Sequence, residues 1–197
     1  MHSYPNMFTT QEYADHPLHR SWTLHFSPTT HVQKQTRLFE NTLVNVISFS
    51  SVEKFLAIMD RIPKRMDLNP NASIAIFETD VNPAWEDPNN ANGGRIKYTI
   101  RTGNNNKTAI HQFIDNFLMF LVGEQFGELG DLITGVFISI KKKAPRVDIW
   151  LRSCDDVEAI RQIAEILIDQ CGFQRNELIF MPFHPQHCDT MGKDLKF

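Results

Sequence analysis

The chain has 197 residues, of which 42% are hydrophobic and 22% charged, and this balance is that of one globular, soluble domain. Its formal net charge of -3 excludes a protein that coats nucleic acid through bulk electrostatics, because phosphate binding on that scale needs clustered cations in excess. Any nucleic-acid contact has to be local.

Residues 1–15 are polar and unpatterned and read as a flexible N-terminal arm, leaving 16–197 as a single domain. From Arg20 to Phe26 the apolar residues Trp22, Leu24 and Phe26 alternate, as a half-buried strand requires, and a second β-rich run covers 42–49. Ser50 and Glu53 then have the spacing of a capping box. Val52, Phe55, Leu56, Met59 and Ile62 follow on one helical face, which Pro63 closes. Strands are predicted at 73–79 and 95–101. A helix opening at Thr108 stripes Ile110, Phe113, Ile114, Phe117, Leu118 and Leu121 up to Gly123. Two further strands, 134–142 and 146–152, precede a third helix that opens near Asp155 and carries Val157, Ile160, Ile163, Ala164, Leu167 and Ile168 to Gly172. The last strand is 177–183. Strands close enough for hairpins, separated by amphipathic helices, predict an α+β domain: a mainly antiparallel sheet with three helices on one face and the other face free for a ligand.

The loops 63–72 and 80–94 are long and rich in turn residues, and loops of that kind often carry function. The second contains Trp85-Glu86 within VNPAWEDPNNANGGR, a polar stretch that no core requires. An indole offers the strongest aromatic face for a flat or cationic ring, and a neighbouring carboxylate accepts hydrogen bonds from adjacent N–H donors on that ring's edge. Guanine has such an edge, and N7-methylated guanine adds the charge. Taken alone, the pair equally suits an indole covering a core edge beside a solvated carboxylate.

The segment 138–150, ISIKKKAPRVDIW, reads as two strands joined at Ala144-Pro145. A two-residue loop opposes Lys143 to Arg146, Lys141 to Asp148 and Ser139 to Trp150, so Lys141, Lys143, Arg146 and Trp150 point to one side. Ala-Pro is not a preferred hairpin turn; a wider loop with an even shift of register keeps the same facing. Three cations beside an indole suit a phosphate chain, or form a solvated hairpin end that discourages edge pairing. Gly93-Gly94 suits a tight turn into the next strand, on which Arg95 and Lys97 share a face opposite Ile96 and Tyr98. The pattern lacks GxxxxGK[ST] and GxGxxG, which excludes a P-loop hydrolase.

Together these residues resemble the eukaryotic translation initiation factor 4E family, which binds the 7-methylguanosine cap of messenger RNA. The similarity runs over most of the chain: His16-Pro17-Leu18 followed by Trp22, Leu24 and Phe26, then Val52-Glu53, Trp85-Glu86-Asp87 with Gly93-Gly94-Arg95, Gly123-Glu124 and Ile149-Trp150. The resemblance implies a curved antiparallel sheet with three helices on its convex face and the cap on its concave face. Trp85 is then expected to stack on the methylated base, Glu86 to accept from its N1 and N2 donors, and Trp150 to lie near the N7 methyl. Arg95, Lys141, Lys143 and Arg146 are expected around the phosphates, with Lys141 where the family usually has Arg, a change that keeps charge and loses the bidentate fork. The second stacking aromatic, usually Trp, falls on Phe39, which suits the core equally well; Phe26 is the nearest competitor, and its alternation with Trp22 and Leu24 favours the core.

On the convex face the resemblance implies a groove of Pro17, Val52, Leu56 and Met119 for an amphipathic partner helix. The partner is either a scaffold initiation factor of the 4G type or a 4E-binding protein. Leu56 stands where the family usually has a Trp, and Leu56 and Met119 also suit ordinary core. The expected function is capture of capped mRNA (7-methylguanosine or 7-methyl-GTP as minimal ligand) for translation initiation. The alternative is a translational repressor or interaction scaffold of the same fold with weak or no cap binding.

No cofactor is expected. His184-Pro185-Gln186-His187-Cys188 lacks a second ligand pair with familiar zinc spacing and reads instead as a loop at the site's rim, where His184, His187, Lys193 or Lys196 meet phosphates or following nucleotides. Ser153, Cys154 and Asp155 form no nucleophile elbow or cysteine-histidine signature, so an enzyme is not expected. Cys154, Cys171 and Cys188, odd in number and without CxxC, indicate neither a disulfide framework nor a zinc site and suit a reducing compartment. No run approaches the roughly 18 apolar residues of a membrane span. The first residues lack the basic and apolar regions of a signal peptide, so the expected location is cytoplasmic or nuclear, without a membrane partner.

Overall fold

The computed structural model describes residues 15–27, 43–62, 72–101, 106–141, 144–184, 186, 188 and 195–197. Residues 1–14 of the expected arm, Pro63 and most of the loop 63–72 lie outside them. In chain order the elements are β1 (Pro17–Ser27), β2 (Val44–Ser51), α1 (Val52–Arg61), β3 (Ser73–Glu78), β4 (Gly94–Thr99), α2 (Lys107–Val122), β5 (Ile133–Ser139), β6 (Arg146–Leu151), α3 (Val157–Cys171), β7 (Leu178–Pro182) and β8 (Leu195–Lys196). Short 3-10 helices at Gly127–Leu132 and Arg175–Glu177 lead into β5 and β7.

All seven predicted strands form, and β8 adds a two-residue edge that is too short to show a period of two. They make one antiparallel sheet in the order β2-β1-β3-β5-β6-β4-β7-β8. Every helix start moves by one or two residues from its expected cap. Ser51, not Ser50, accepts from the Lys54 amide; Asn106, not Thr108, caps α2 through the Ala109 amide; Asp156, not Asp155, caps α3 through the Ala159 amide. In each case the neighbouring hydroxyl or carboxylate is chemically competent, and the chain path selects between them; Ser51 and Asn106 are in extended conformation. Glu53 does not close a capping box. It binds His16 instead, accepting from the His16 amide at 2.9 Å and lying 2.6 Å from its Nδ1. Gly172 ends α3 in the left-handed region, φ 75°.

The sheet separates two apolar clusters. The larger lies under the helices and joins Trp22, Leu24, Ile74, Ile76, Ile96, Val136, Ile138, Val147 and Ile149 to the inward stripes of α1, α2 and α3. On α1 the buried residues are Phe55 and Ile58, while Val52 and Leu56 face outward; the inward stripe is therefore rotated from the expected one. Phe26 packs against this cluster, in line with the alternation. The smaller cluster, Ala75, Phe77, Val81, Phe137 and Trp150 with Leu43 and Phe183 against it, lies on the opposite face. There the alternate residues of β6 and β4, namely Arg146, Asp148 and Trp150 with Arg95 and Lys97, form adjacent rows.

The β5–β6 register differs from the two-residue hairpin. Ser139 pairs with Arg146, Phe137 with Asp148 and Gly135 with Trp150, so the ladder ends at Ser139 and Arg146 and Lys141 lies outside it. The displacement is even, which keeps Arg146 and Trp150 on one side. Gly93 and Gly94 also serve a different purpose from the expected tight turn. Neither has a positive φ. A Cβ at Gly93 would overlap the Leu151 carbonyl, and one at Gly94 would lie 2.6 Å from the Met181 oxygen. The glycines let β4 approach its two neighbours, and the turn lies upstream of them.

Candidate functional site

The loop between β3 and β4 is folded by its buried residues and exposes the rest. Asp87 is the centre: its carboxylate accepts from the Asn82 amide and Nδ2 and from the Asn89 amide and Nδ2, at 2.9–3.2 Å. Burial pushes that carboxyl up, and the four hydrogen bonds more than offset the effect, holding it below the usual carboxylate range. Asn90, fully buried, donates to the Asn82 and Ala84 carbonyls and accepts from the Thr134 hydroxyl on β5. With Asp87 and Asn90 turned inward, Trp85 and Glu86 face solvent, and Trp85 keeps 46% of its surface open. The reading of Trp85 as the lid of a core edge is therefore not what the fold shows.

Trp85, Arg95, Met181, Pro182 and Phe183 line a cleft of about 290 Å³. The Phe183 amide donates to the Gly93 carbonyl and so ties the end of β7 to the loop. His184, next in the chain, lies flat against Trp85. Trp150 is buried, 7% exposed, with its ring against Phe183 and edge-on to Phe77. A larger cavity of about 630 Å³ between α1 and β1–β3 is apolar apart from Lys54 and Arg61. None of its lining residues is an acidic acceptor.

Two of the four expected cations, Arg95 and Arg146, meet at Asp148, which the sequence presents only as a hairpin partner. Asp148 is 1% exposed and lies between Arg95 and Arg146: its Oδ2 is 2.8 Å from Arg146 Nη2 and 3.7 Å from Arg95 Nη1. Burial holds its carboxyl above the usual range against the opposing pull of Arg146, then Arg95. The period of two in Arg146, Asp148 and Trp150 was the available signal. Lys141 is exposed just beyond β5, and Lys143 and Phe39 lie outside the described residues. So do His187 and Lys193, while Lys196 is exposed on β8. Among the described residues no group of three or more His, Cys, Asp or Glu side chains could hold a metal ion.

Cys154 and Cys188 form a disulfide with Cα atoms 5.8 Å apart, which corrects the expectation that the cysteines are unpaired; Cys171 remains a free thiol. Burial pushes the Cys171 thiol up to about 12, which makes it a poor nucleophile at neutral pH. The bridge ties the segment that follows His184 to the loop after β6.

On the convex side Pro17, Val52, Leu56 and Met119 are all exposed, not core. Val52 and Pro17 are neighbours, because the Val52 amide donates to the His16 carbonyl and Pro17 pairs with Ser51. No helix of the described residues is long and apolar enough to cross a membrane.

A helix-backed antiparallel sheet with an exposed indole, a neighbouring carboxylate and arginines on its open face defines a binding protein whose site suits a flat base with attached anions. Residues 17–196 match the family described as eukaryotic initiation factor 4E, and the chain belongs to that family. Human eukaryotic translation initiation factor 4E is 27% identical over 187 residues, covering 93% of this chain and 81% of the human protein. Among solved structures, the complex of Caenorhabditis elegans eIF4E-3 with the 4E-binding protein Mextli superposes with a TM-score of 0.80 at 25% identity, covering 92% of this chain and all of that one. A second complex, with Mextli and a cap analog, gives 0.78 at 26% identity, with coverage of 92% and 100%. The family consists of initiation factors, not enzymes.

Proposed function

We propose that this initiation factor binds the 7-methylguanosine cap of mRNA on its concave face. Trp85 stacks on the base, Glu86 accepts from its N1 and N2 donors, and Arg95, Arg146, Lys141 and Lys143 attend the phosphates. The observation that carries the reading is Trp85: a large indole left 46% exposed, with Glu86 next to it and Arg95 lining the same cleft. The solved complex of the C. elegans relative with a cap analog supports it. Trp150 is proposed to lie near the N7 methyl, and Phe39 is the proposed second stacking ring. Its phenyl offers a weaker face than indole, at a cost of roughly 1 kcal/mol.

Pro17, Val52, Leu56 and Met119 are the proposed seat for an amphipathic helix of a 4G-type scaffold or a 4E-binding protein. Their exposure supports this, as does the Mextli complex of the relative. The same surface also serves the second reading, a repressor or scaffold with weak cap binding, in which the helix seat functions alone. Either activity is proposed to take place in the cytoplasm or the nucleus.

The test of the cap reading is a Glu86→Ala variant titrated with 7-methyl-GTP by Trp fluorescence. Loss of the carboxylate leaves the base's N–H donors unpaired and costs roughly 2–3 kcal/mol of binding. Wild-type affinity in the variant removes Glu86 from the site.

A further inference from the structure

On the open face of the sheet, the three strands around Asp148 bring cations from two sides. Arg146 is two residues away on β6, Arg95 and Lys97 come from β4, and β5 supplies only the uncharged Phe137 and Ser139. Both arginines keep about a third of their side-chain surface open while the carboxylate between them is 1% exposed. Asp148 Oδ1 is buried and accepts no hydrogen bond from the described residues. Arg95 lines the cleft beside Trp85, so the buried carboxylate is one side chain removed from the ligand space.

A carboxylate in that place has two opposite effects on an arriving anion. It holds two guanidiniums together, and it subtracts one unit of charge from them. The contacts decide between the two. Only one of them, Arg146 Nη2 to Oδ2, has hydrogen-bond length, whereas Arg95 stands at 3.7 Å, beyond it. Orientation of Arg95 therefore does not depend on Asp148, while loss of charge acts on both arginines. Charge acts at a distance through a partly screened medium, whereas orientation needs close, directed hydrogen bonds.

We infer that Asp148 is a specificity-determining residue: it weakens the grip of the Arg95–Arg146 pair on phosphate, so that the protein selects its ligand by the base more than by the phosphate chain. The inference rests on the cap-binding reading for the identity of the ligand, and on the ion pairs alone for its electrostatic part. The substrate class it favours carries a cationic purine, with the phosphates contributing less than the number of nearby cations suggests.

The test measures three ligands against the full chain and its Asp148→Asn variant. Inorganic tripolyphosphate reads the cations alone, 7-methylguanosine the base site alone, and a dinucleotide cap, m7GpppG, both together. Removing one unit charge several ångströms from the anion is expected to tighten tripolyphosphate by roughly tenfold, and to raise the ratio of m7GpppG to 7-methylguanosine affinity by a similar factor. Asp148→Ala, read in the same way, controls for an asparagine that disturbs the sheet, and circular dichroism establishes that each variant is folded. Unchanged or weaker tripolyphosphate binding in the folded variants overturns the proposal. If the unmodified chain holds 7-methylguanosine no better than guanosine, the cap reading fails, and the tripolyphosphate comparison still decides the role of Asp148.

Discussion

The Trp85 indole lies against the His184 imidazole with ring centres 5.2 Å apart and planes 14° from parallel. One part of the platform is thus already engaged by the chain itself, and 46% of the indole stays open. Stacking on Trp85 is consequently a contact that forms without unfolding anything, since the residue belongs to neither apolar cluster.

A Trp85→Ala variant should weaken 7-methyl-GTP binding by about 2 kcal/mol, roughly thirtyfold, with little change in melting temperature. Calorimetric titration and a thermal scan on the same sample check both halves. Trp150→Ala should behave in the opposite way, because its ring packs on Phe77 and Phe183: a loss of about 3–5 kcal/mol of stability, seen in urea unfolding.

Asp87 makes the loop sensitive to acid. Its folded carboxyl titrates below the usual range, so its contribution to stability is complete above the unfolded value near 3.8 and is lost as pH falls through the depressed folded value. Replacement by Ala removes four accepted hydrogen bonds and should cost about 2–4 kcal/mol at pH 7. The difference in unfolding free energy between the wild type and Asp87→Ala should shrink only below pH 4.

The Cys154–Cys188 bridge closes a loop of sequence separation 34, for which chain entropy gives roughly 3–4 kcal/mol. Reduction with a phosphine should lower the melting temperature of the wild type, and a Cys154→Ala/Cys188→Ala double variant should show no further response to reductant. Alkylation under native conditions should label the wild type at most once, at Cys171.

Charge introduced at an exposed apolar position tests the convex surface. Leu56→Asp should abolish capture of an amphipathic peptide helix from a 4E-binding protein while leaving 7-methyl-GTP affinity and melting temperature near wild type, because Leu56 is 44% exposed. Fluorescence anisotropy of a labelled peptide is the readout.

Much of this arrangement is legible in the sequence because it is local. Period-two runs mark the strands and period-3.6 stripes mark the helices, and Trp85-Glu86 announces itself by being apolar and acidic where no core is needed. The misplaced features depend on geometry that spacing does not encode. Ser50 and Ser51 have the same chemistry, and only the path from β2 decides which caps α1. Ala144-Pro145 suggests a tight turn, whereas the ladder ends at Ser139 and Arg146. Cys154 and Cys188 have no motif, and the fold alone brings their Cα atoms within bonding range. Asp148 reads only as the residue opposite Lys141 in a hairpin until β4 and β5 flank it and bury it against two arginines.

The central claim, that the open face reads a methylated guanine base, is tested most directly by titrating the unmodified chain with 7-methyl-GTP and GTP side by side while following Trp fluorescence. The account predicts quenching by 7-methyl-GTP with at least tenfold tighter binding than GTP, since only the methylated ring carries the positive charge that Trp85 favours. Equal affinity for the two nucleotides, or no binding of either, would contradict it.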